Sequence, residues 1–373
     1  MKIKPFGVEL WMNEFELHCE FNLAETCVES ITIAQLLELA DRDKTALSEL
    51  LPLKMTYGAI AGSDRLRDAI AALYSRQARD NILVTHGTIG ANSLVHQALV
   101  SQGDKVISIV PTYQQHYSIP ESIGADVRLL HLRAENNFLP DFDELRTLVI
   151  PRTRMIAVTN PNNPTGSLID GDNLEELVAI ARDADAWILS DEVYRGTDQH
   201  GSGVTPSIAD IYEKGISTAS LSKAYSLAGL RLGWLAAPNE VIEAVMIHRD
   251  YNTISVSIVD DHFATLAMEN HQKILARSQK ITRSNLQTLA DWVEQEPKIS
   301  WVRPRSGTTA LLNYELNMPS RDFCTSLLQE TGVLFTPGSA FDMEGCVRIG
   351  YANGPAVLKA GLEKVSAFLA ANS

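Results

Sequence analysis

Three short polar clusters, each at the end of an apolar run, hold the residues able to do chemistry: Asn160-Pro-Asn-Asn-Pro-Thr-Gly166, Asp191-Glu-Val-Tyr194 and Ser220-Leu-Ser-Lys223. Arg231 follows the lysine by eight residues. Read alone, the first cluster is a turn before a helix, because Asn, Pro and Gly each favour bends. A lone lysine is ordinarily a solvated charge, and a tyrosine after a strand is ordinarily half-buried packing. Three such clusters at three successive strand ends are hard to credit to loop chemistry. A lysine amine so placed can condense with a carbonyl carbon or carry a proton. A fourth stretch, His86-Gly-Thr-Ile-Gly90, lies between a strand and a helix expected to begin near Ala91. The amides of Gly87, Thr88 and Ile89 can there point at an anion with support from the helix dipole. The stretch is neither G-x-G-x-x-G nor a P-loop, which removes the simple nucleotide-binding reading.

These clusters need a scaffold that brings strand ends together. From about residue 80 to 240, β-rich runs alternate with helical patterns, as in an α/β domain with a mainly parallel sheet. Strands are expected at Ile82–Thr85, Lys105–Val110, Val127–Leu132, Met155–Thr159, Ala186–Ser190, Ser217–Leu221 and Gly233–Ala237, which makes seven. Helices such as 91–102 and 173–185 would cover both faces, and ligands of such sheets bind at the carboxyl ends of the strands. One long helix is expected from Ser257 to about Val293, bridging domains, followed by strands Ile299–Trp301, Ala310–Tyr314 and Cys346–Tyr351 and helices Ser320–Thr331 and Pro355–Ala371. We therefore expect a large domain at 46–260, with its seven-stranded sheet sandwiched by helices, and a smaller α+β domain built from 1–45 and 261–373.

Composition narrows the class. The 373 residues are 45% hydrophobic and 21% charged, without repeats, as in a folded chain of two domains. A net charge of −14 and a pI near 5.1 argue against nucleic acid and anionic membranes as partners, though not against an anionic ligand in a focused cleft. The first twenty residues lack the form of a signal peptide, and no apolar run reaches the roughly 18 residues of a membrane helix, so a cytoplasmic protein is expected. Cys19, Cys27, Cys324 and Cys346 have no metal-ligand spacing and are expected as free thiols, with no metal.

The four motifs NPNNPTG, DEVY, SLSK and Leu230-Arg-Leu-Gly-Trp234, in this order and at these approximate spacings, resemble the aspartate aminotransferase superfamily, the fold type I pyridoxal-phosphate enzymes of class I and II. The resemblance covers nearly the whole chain. It implies that Lys223 holds pyridoxal 5'-phosphate as a Schiff base and, once released, moves a proton at the substrate Cα. It implies that Asp191 holds the protonated ring nitrogen and that Asn163 and Tyr194 bond the ring 3'-oxygen. Gly87, Thr88, Ile89, Ser220, Ser222 and Arg231 would form the phosphate cup, with the planar fork of Arg231 suited to phosphate oxygens. Tyr113 would stack on the ring. Tyr57 is similar to the tyrosine that reaches the neighbouring subunit's phosphate, which implies a homodimer with shared sites. Arg348, in Cys346-Val-Arg-Ile-Gly-Tyr351, would pair with the substrate α-carboxylate.

An aminotransferase acting on an L-amino acid and a 2-oxo acid is the expected activity. A lyase remains open, because these parts also serve β-elimination and ring closure. Leu23-Ala-Glu25 is similar to the N-terminal motif of the aminocyclopropane-carboxylate synthases, and makes Glu25 a candidate substrate contact. The third reading is a noncatalytic pyridoxal-phosphate-binding regulator. It usually carries an added DNA-binding domain, whereas this sequence begins with the small-domain segment and is acidic.

Overall fold

A computed structural model describes residues 2–372, built around a seven-stranded sheet. Its order is Ile82–Thr85, Gly233–Ala236, Gly215–Ser220, Trp187–Asp191, Thr153–Thr159, Lys105–Val110 and Asp126–His131. Gly233–Ala236 runs antiparallel to both of its neighbours, and every other pairing is parallel. All seven expected strands are present, with ends displaced by one or two residues. The side chains of the inner strands are buried on both faces, whereas the edge strand Asp126–His131 buries only Leu130 fully. Leu83, Leu189 and Leu235 pack on one side with Val95 and Val245, while Ile107, Ile156 and Ile188 pack on the other with Leu177 and Ile180. Helices on both faces are what a parallel sheet of such apolar strands requires.

A second core gathers Trp11, Leu23, Phe323, Phe335 and Phe368 around an antiparallel sheet of order Thr336–Pro337, Cys346–Gly350, Thr309–Tyr314 and Ile299–Trp301. Phe21–Asn22 adds a short parallel pairing to Val333–Leu334. Helices Ser320–Thr331 and Pro355–Ala371 lie where the sequence placed them. Segments more than 300 residues apart thus share one core.

The single helix expected over 257–293 is instead two, Ile258–Glu269 and His271–Gln295. Asn270 sits at φ −117° and ψ 21°, and its side-chain amide donates to Leu266 O at 2.9 Å, taking over a carbonyl that the helical ladder would otherwise use. From helix His271–Gln295, Ile274 and Leu275 share a core with Leu66 and Trp234 against the large sheet, as do Phe263, Ala264 and Met268 of the preceding helix, whereas Leu286 and Leu289 lie in the second core. Helix His271–Gln295 therefore spans both. Among the described residues, no helix is long and apolar enough to cross a membrane.

Candidate active site

Thr153–Thr159, Trp187–Asp191 and Gly215–Ser220 are parallel neighbours, so their carboxyl ends deliver the three polar clusters to one edge of the sheet. There they line a cavity of about 290 Å³. Thr88, Ile89, Tyr113, Asn163, Asp191, Tyr194, Ser220, Ser222, Lys223, Arg231, Glu25 and Arg348 all line it. Tyr57 does not: its side chain is 73% exposed, outside this cavity.

In the Asn-rich loop the asparagines divide their work. Asn160 closes the loop by exchanging hydrogen bonds with Ile169 N and O, both at 2.9 Å. Asn162 Oδ1 accepts from the Thr165 hydroxyl at 2.7 Å. Gly166, at φ +70°, lies where a Cβ would fall 2.7 Å from Thr309 O, so the loop meets the second core at a point only glycine fits. Asn163 alone faces the cavity.

Lys223 Nζ donates to Thr26 Oγ1 at 2.5 Å and lies 3.5 Å from Cys27 Sγ and 3.8 Å from Glu25 Oε1. Burial alone would lower its pKa, yet the anionic forms of Cys27, Tyr194 and Glu25 outweigh that and raise it. Burial pushes the Cys27 thiol itself up to about 11 and also raises the Tyr194 phenol. Near neutral pH only Glu25 therefore carries charge. Burial works against Glu25, but Lys223 and the amides of Thr26 and Cys27 hold its pKa below the usual value. The lysine and Glu25 stabilise each other as ions.

Asp191 is 4% exposed and held from several sides. Asn92 Nδ2 donates to its Oδ2 at 2.8 Å, Val193 N donates to its Oδ1 at 3.1 Å, and Thr218 orients Asn92 through a 2.6 Å bond to Oδ1. Behind it, His116 Nε2 lies 3.8 Å from Oδ2, and buried His96 lies 3.4 Å from His116. A carboxylate so supported can keep a proton on a basic ring nitrogen. Sequence reasoning missed Asn92, His96, His116, Thr26 and Cys27. Only the proximity of Thr26 and Cys27 to Glu25 in the chain hinted at any of them.

The helix expected near Ala91 starts at Gly87, so Gly87, Thr88 and Ile89 are its first turn, whose amides have no acceptor within the helix. Thr88 Oγ1 is buried without a partner. Arg231 takes a left-handed conformation, φ 52°, a cost for a non-glycine residue that places its guanidinium beside Gly87; a Cβ there would fall 3.2 Å from Nη2. Ser220, 1% exposed, accepts from Ser222 N at 3.2 Å. Amides, hydroxyls and a guanidinium around an unsatisfied hydroxyl fit a phosphate. With Lys223 for an aldehyde and Asp191 for a ring nitrogen, the residues present fit a phosphorylated pyridine aldehyde.

Arg348, 2% exposed, donates through Nη2 to Ala24 O and Thr336 Oγ1, each at 3.0 Å, and leaves Nε without a partner. Helix Gly7–Phe15 borders the cavity with Glu9, Met12 and, just past its end, Glu16. Tyr113 donates its hydroxyl to Glu9 at 2.7 Å.

A family model described as aminotransferase class I and II matches residues 46–364. The crystal structure of a PLP-dependent aminotransferase from Streptococcus suis 89-1591 superposes with a TM-score of 0.97 at 43% identity, over 100% of this chain and 99% of that one. Capreomycidine synthase of Streptomyces vinaceus is 30% identical over 360 residues, 96% of this chain and 92% of its own length. The aspartate aminotransferase of Pyrococcus horikoshii is 31% identical over 314 residues, 79% of this chain and 78% of its own.

Proposed function

This chain belongs to the class I and II aminotransferases and is a pyridoxal-phosphate-dependent enzyme, and we propose that it moves the amino group of an L-amino acid to a 2-oxo acid. The observation that carries the proposal is one cavity lined by Lys223, Asp191 and Arg348. When bound, pyridoxal phosphate supplies the aldehyde that the amines condense with and the electron-withdrawing ring that makes the substrate Cα proton removable. Asp191 keeps the ring nitrogen protonated. Asn163 and Tyr194 would bond the ring 3'-oxygen, Tyr113 would cover a ring face, and the first turn at Gly87 with Ser220, Ser222 and Arg231 would anchor the phosphate. Arg348 fixes the substrate carboxylate, so that the Cα proton lies within reach of one base. Lys223 Nζ would take that proton as general base and give it up as general acid, with Thr26 Oγ1 at 2.5 Å orienting the amine.

We assign the two-domain division of the sequence, 46–260 against 1–45 with 261–373, to the same proposal, with helix His271–Gln295 as the bridge. The exposed position of Tyr57, next to Leu51 and Met55 at 84% and 81% exposure, supports a homodimer in which Tyr57 reaches the other subunit's cofactor phosphate. A cytoplasmic location completes the reading.

A second reading, cyclisation or elimination, is supported by the likeness to the crystal structure of the PLP-dependent cyclase OrfR, at a TM-score of 0.92 and 27% identity over 100% of this chain and 99% of that one. Holoenzyme given a pool of L-amino acids without oxo acid separates the two. Transfer converts the visible cofactor band to the pyridoxamine form and yields oxo acids. A retained band with ammonia, pyruvate or a cyclic product indicates the second reading. Light scattering of the eluting protein reads the dimer.

A further inference from the structure

Building on the aminotransferase reading, we propose that the amino acid substrate carries a positively charged side chain, a guanidinium or ammonium, held by Glu16 together with Glu9 and Glu25. The charges that line the cavity carry the inference. Its cations are Lys223, Arg231 and Arg348, and each has work to do on the cofactor aldehyde, the cofactor phosphate and the substrate carboxylate. Of its anions, Asp191 serves the ring nitrogen. Glu9, Glu16 and Glu25 are left with no lining cation of this chain to offset them once Lys223 is joined to the cofactor.

These carboxylates are not a solvated fringe. Glu9, Met12 and Glu16 recur at i, i+3 and i+7, the spacing of one helical face, and all three line the cavity. Glu25 Oε1 is fixed by Thr26 N at 2.6 Å and Cys27 N at 2.7 Å, so its orientation is set before any ligand arrives. Glu9, Glu16 and Glu25 line the same cavity, and burial together with repulsion from Glu25 and Glu9 raises the Glu16 pKa. Like charges in a half-buried cleft cost free energy that a bound cation relieves.

A separate observation marks the other end of the ligand. Arg348 is almost wholly buried, lines the same cavity and leaves Nε without a partner, an unfilled donor for a carboxylate. An unfilled anion-binding group and a surplus of negative charge in one cavity match the two ends of a cationic amino acid. An aspartate or glutamate side chain would meet three carboxylates there.

The test compares L-arginine with L-citrulline, its uncharged near-isostere, and with L-aspartate, on the pyridoxal-phosphate-loaded wild-type enzyme, following the cofactor spectrum in single turnovers. We expect kcat/KM for arginine to exceed that for citrulline by about 100-fold, the scale of one charge-assisted hydrogen bond in a partly buried site. Glu16→Gln narrows the arginine-to-citrulline ratio at least tenfold, and Glu9→Gln, which keeps an acceptor for the Tyr113 hydroxyl, narrows it too. Arginine and citrulline within threefold of each other, faster turnover of aspartate, or an unchanged ratio in Glu16→Gln overturns the proposal while leaving the aminotransferase reading intact. If no amino acid of any charge alters the cofactor spectrum, the aminotransferase reading falls as well.

Discussion

Arg348 Nη1 donates to Oδ1 of Asn163 at 3.2 Å, joining two residues 185 positions apart. A guanidinium has only donors, so this bond fixes which end of the Asn163 amide is oxygen and leaves its NH2 as the group free to donate to a bound oxygen. In the proposed reaction, the residue assigned to the substrate carboxylate thereby orients one assigned to the cofactor. Arg348→Lys keeps the charge but loses the fork, and strands the buried acceptors Asn163 Oδ1, Thr336 Oγ1 and Ala24 O. We predict a fall in kcat/KM of ~10²-fold and a loss of about 1–3 kcal/mol in stability, read by steady-state kinetics and urea unfolding.

On the proposed mechanism, Lys223→Ala removes both the covalent attachment point and the proton carrier. The variant should bind cofactor without the visible band of the lysine-bound form, and turnover should drop by at least ~10³-fold. Full activity in this variant would end the assignment.

Asp191→Asn should still bind cofactor, because the phosphate cup is untouched, but kcat should fall by ~10²-fold or more as the ring nitrogen loses its anionic partner. Asn92→Ala, which frees one Asp191 oxygen from its 2.8 Å donor, should lower kcat less, with little change in KM. Equal turnover in wild type and Asp191→Asn would show that another group protonates the ring.

Attack on the cofactor aldehyde needs a neutral amine, and the Lys223 pKa is raised. Loading of the apoenzyme should therefore quicken with pH, about tenfold per unit, until the raised value is reached. In Glu25→Gln the 3.8 Å ionic partner is gone and the profile should move to lower pH. Stability runs the opposite way: the lysine's contribution is fully present below its ordinary pKa and is lost as pH rises through the raised one. Stopped-flow absorbance at a series of pH values checks the shift, and superimposable profiles would remove Glu25 from the account.

The sheet was legible because its strands are short apolar runs punctuated by turn residues, and the site because three of those runs end in reactive side chains. Lys223, Asp191 and Asn163 could be named from their motifs and the family resemblance those motifs carry, and the fold brings all three to one cavity. Asn92, His96 and His116 could not, because they lie on helices whose patterns read as ordinary packing, and they reach Asp191, His96 by way of His116, only through the tertiary fold. The break at Asn270 was missed for a related reason: asparagine is tolerated inside a helical pattern, and only its bond to Leu266 O shows that it interrupts one. Glu9 and Glu16 lay in a stretch without motif, where a charged helix face ordinarily means solvent.

Gly233 supplies a prediction that no charge argument reaches. A Cβ there would fall 2.5 Å from Gly87 C, 2.6 Å from Ala219 O and 2.6 Å from Thr88 N, all backbone atoms that cannot swing aside. Gly233→Ala should push the first turn of helix Gly87–Leu99 out of place, weakening cofactor affinity at least tenfold and costing about 1–3 kcal/mol. Cofactor titration alongside thermal melting should show both losses together.

Helix Gly7–Phe15 is pinned at one end by Gln114, whose side chain bonds Gly7 N and Pro5 O at 2.9 Å, and through Trp11 Nε1 to Phe335 O at 2.8 Å, 324 positions away. During synthesis on the ribosome, then, helix Gly7–Phe15 is made long before the Phe335 carbonyl that holds it. It must wait, with Trp11 and Leu23 uncovered, until the strands after residue 330 have emerged. A nascent chain stalled short of that point would hold a finished central sheet beside an unclosed catalytic pocket, and its amino-terminal residues would be the surface that chaperones meet.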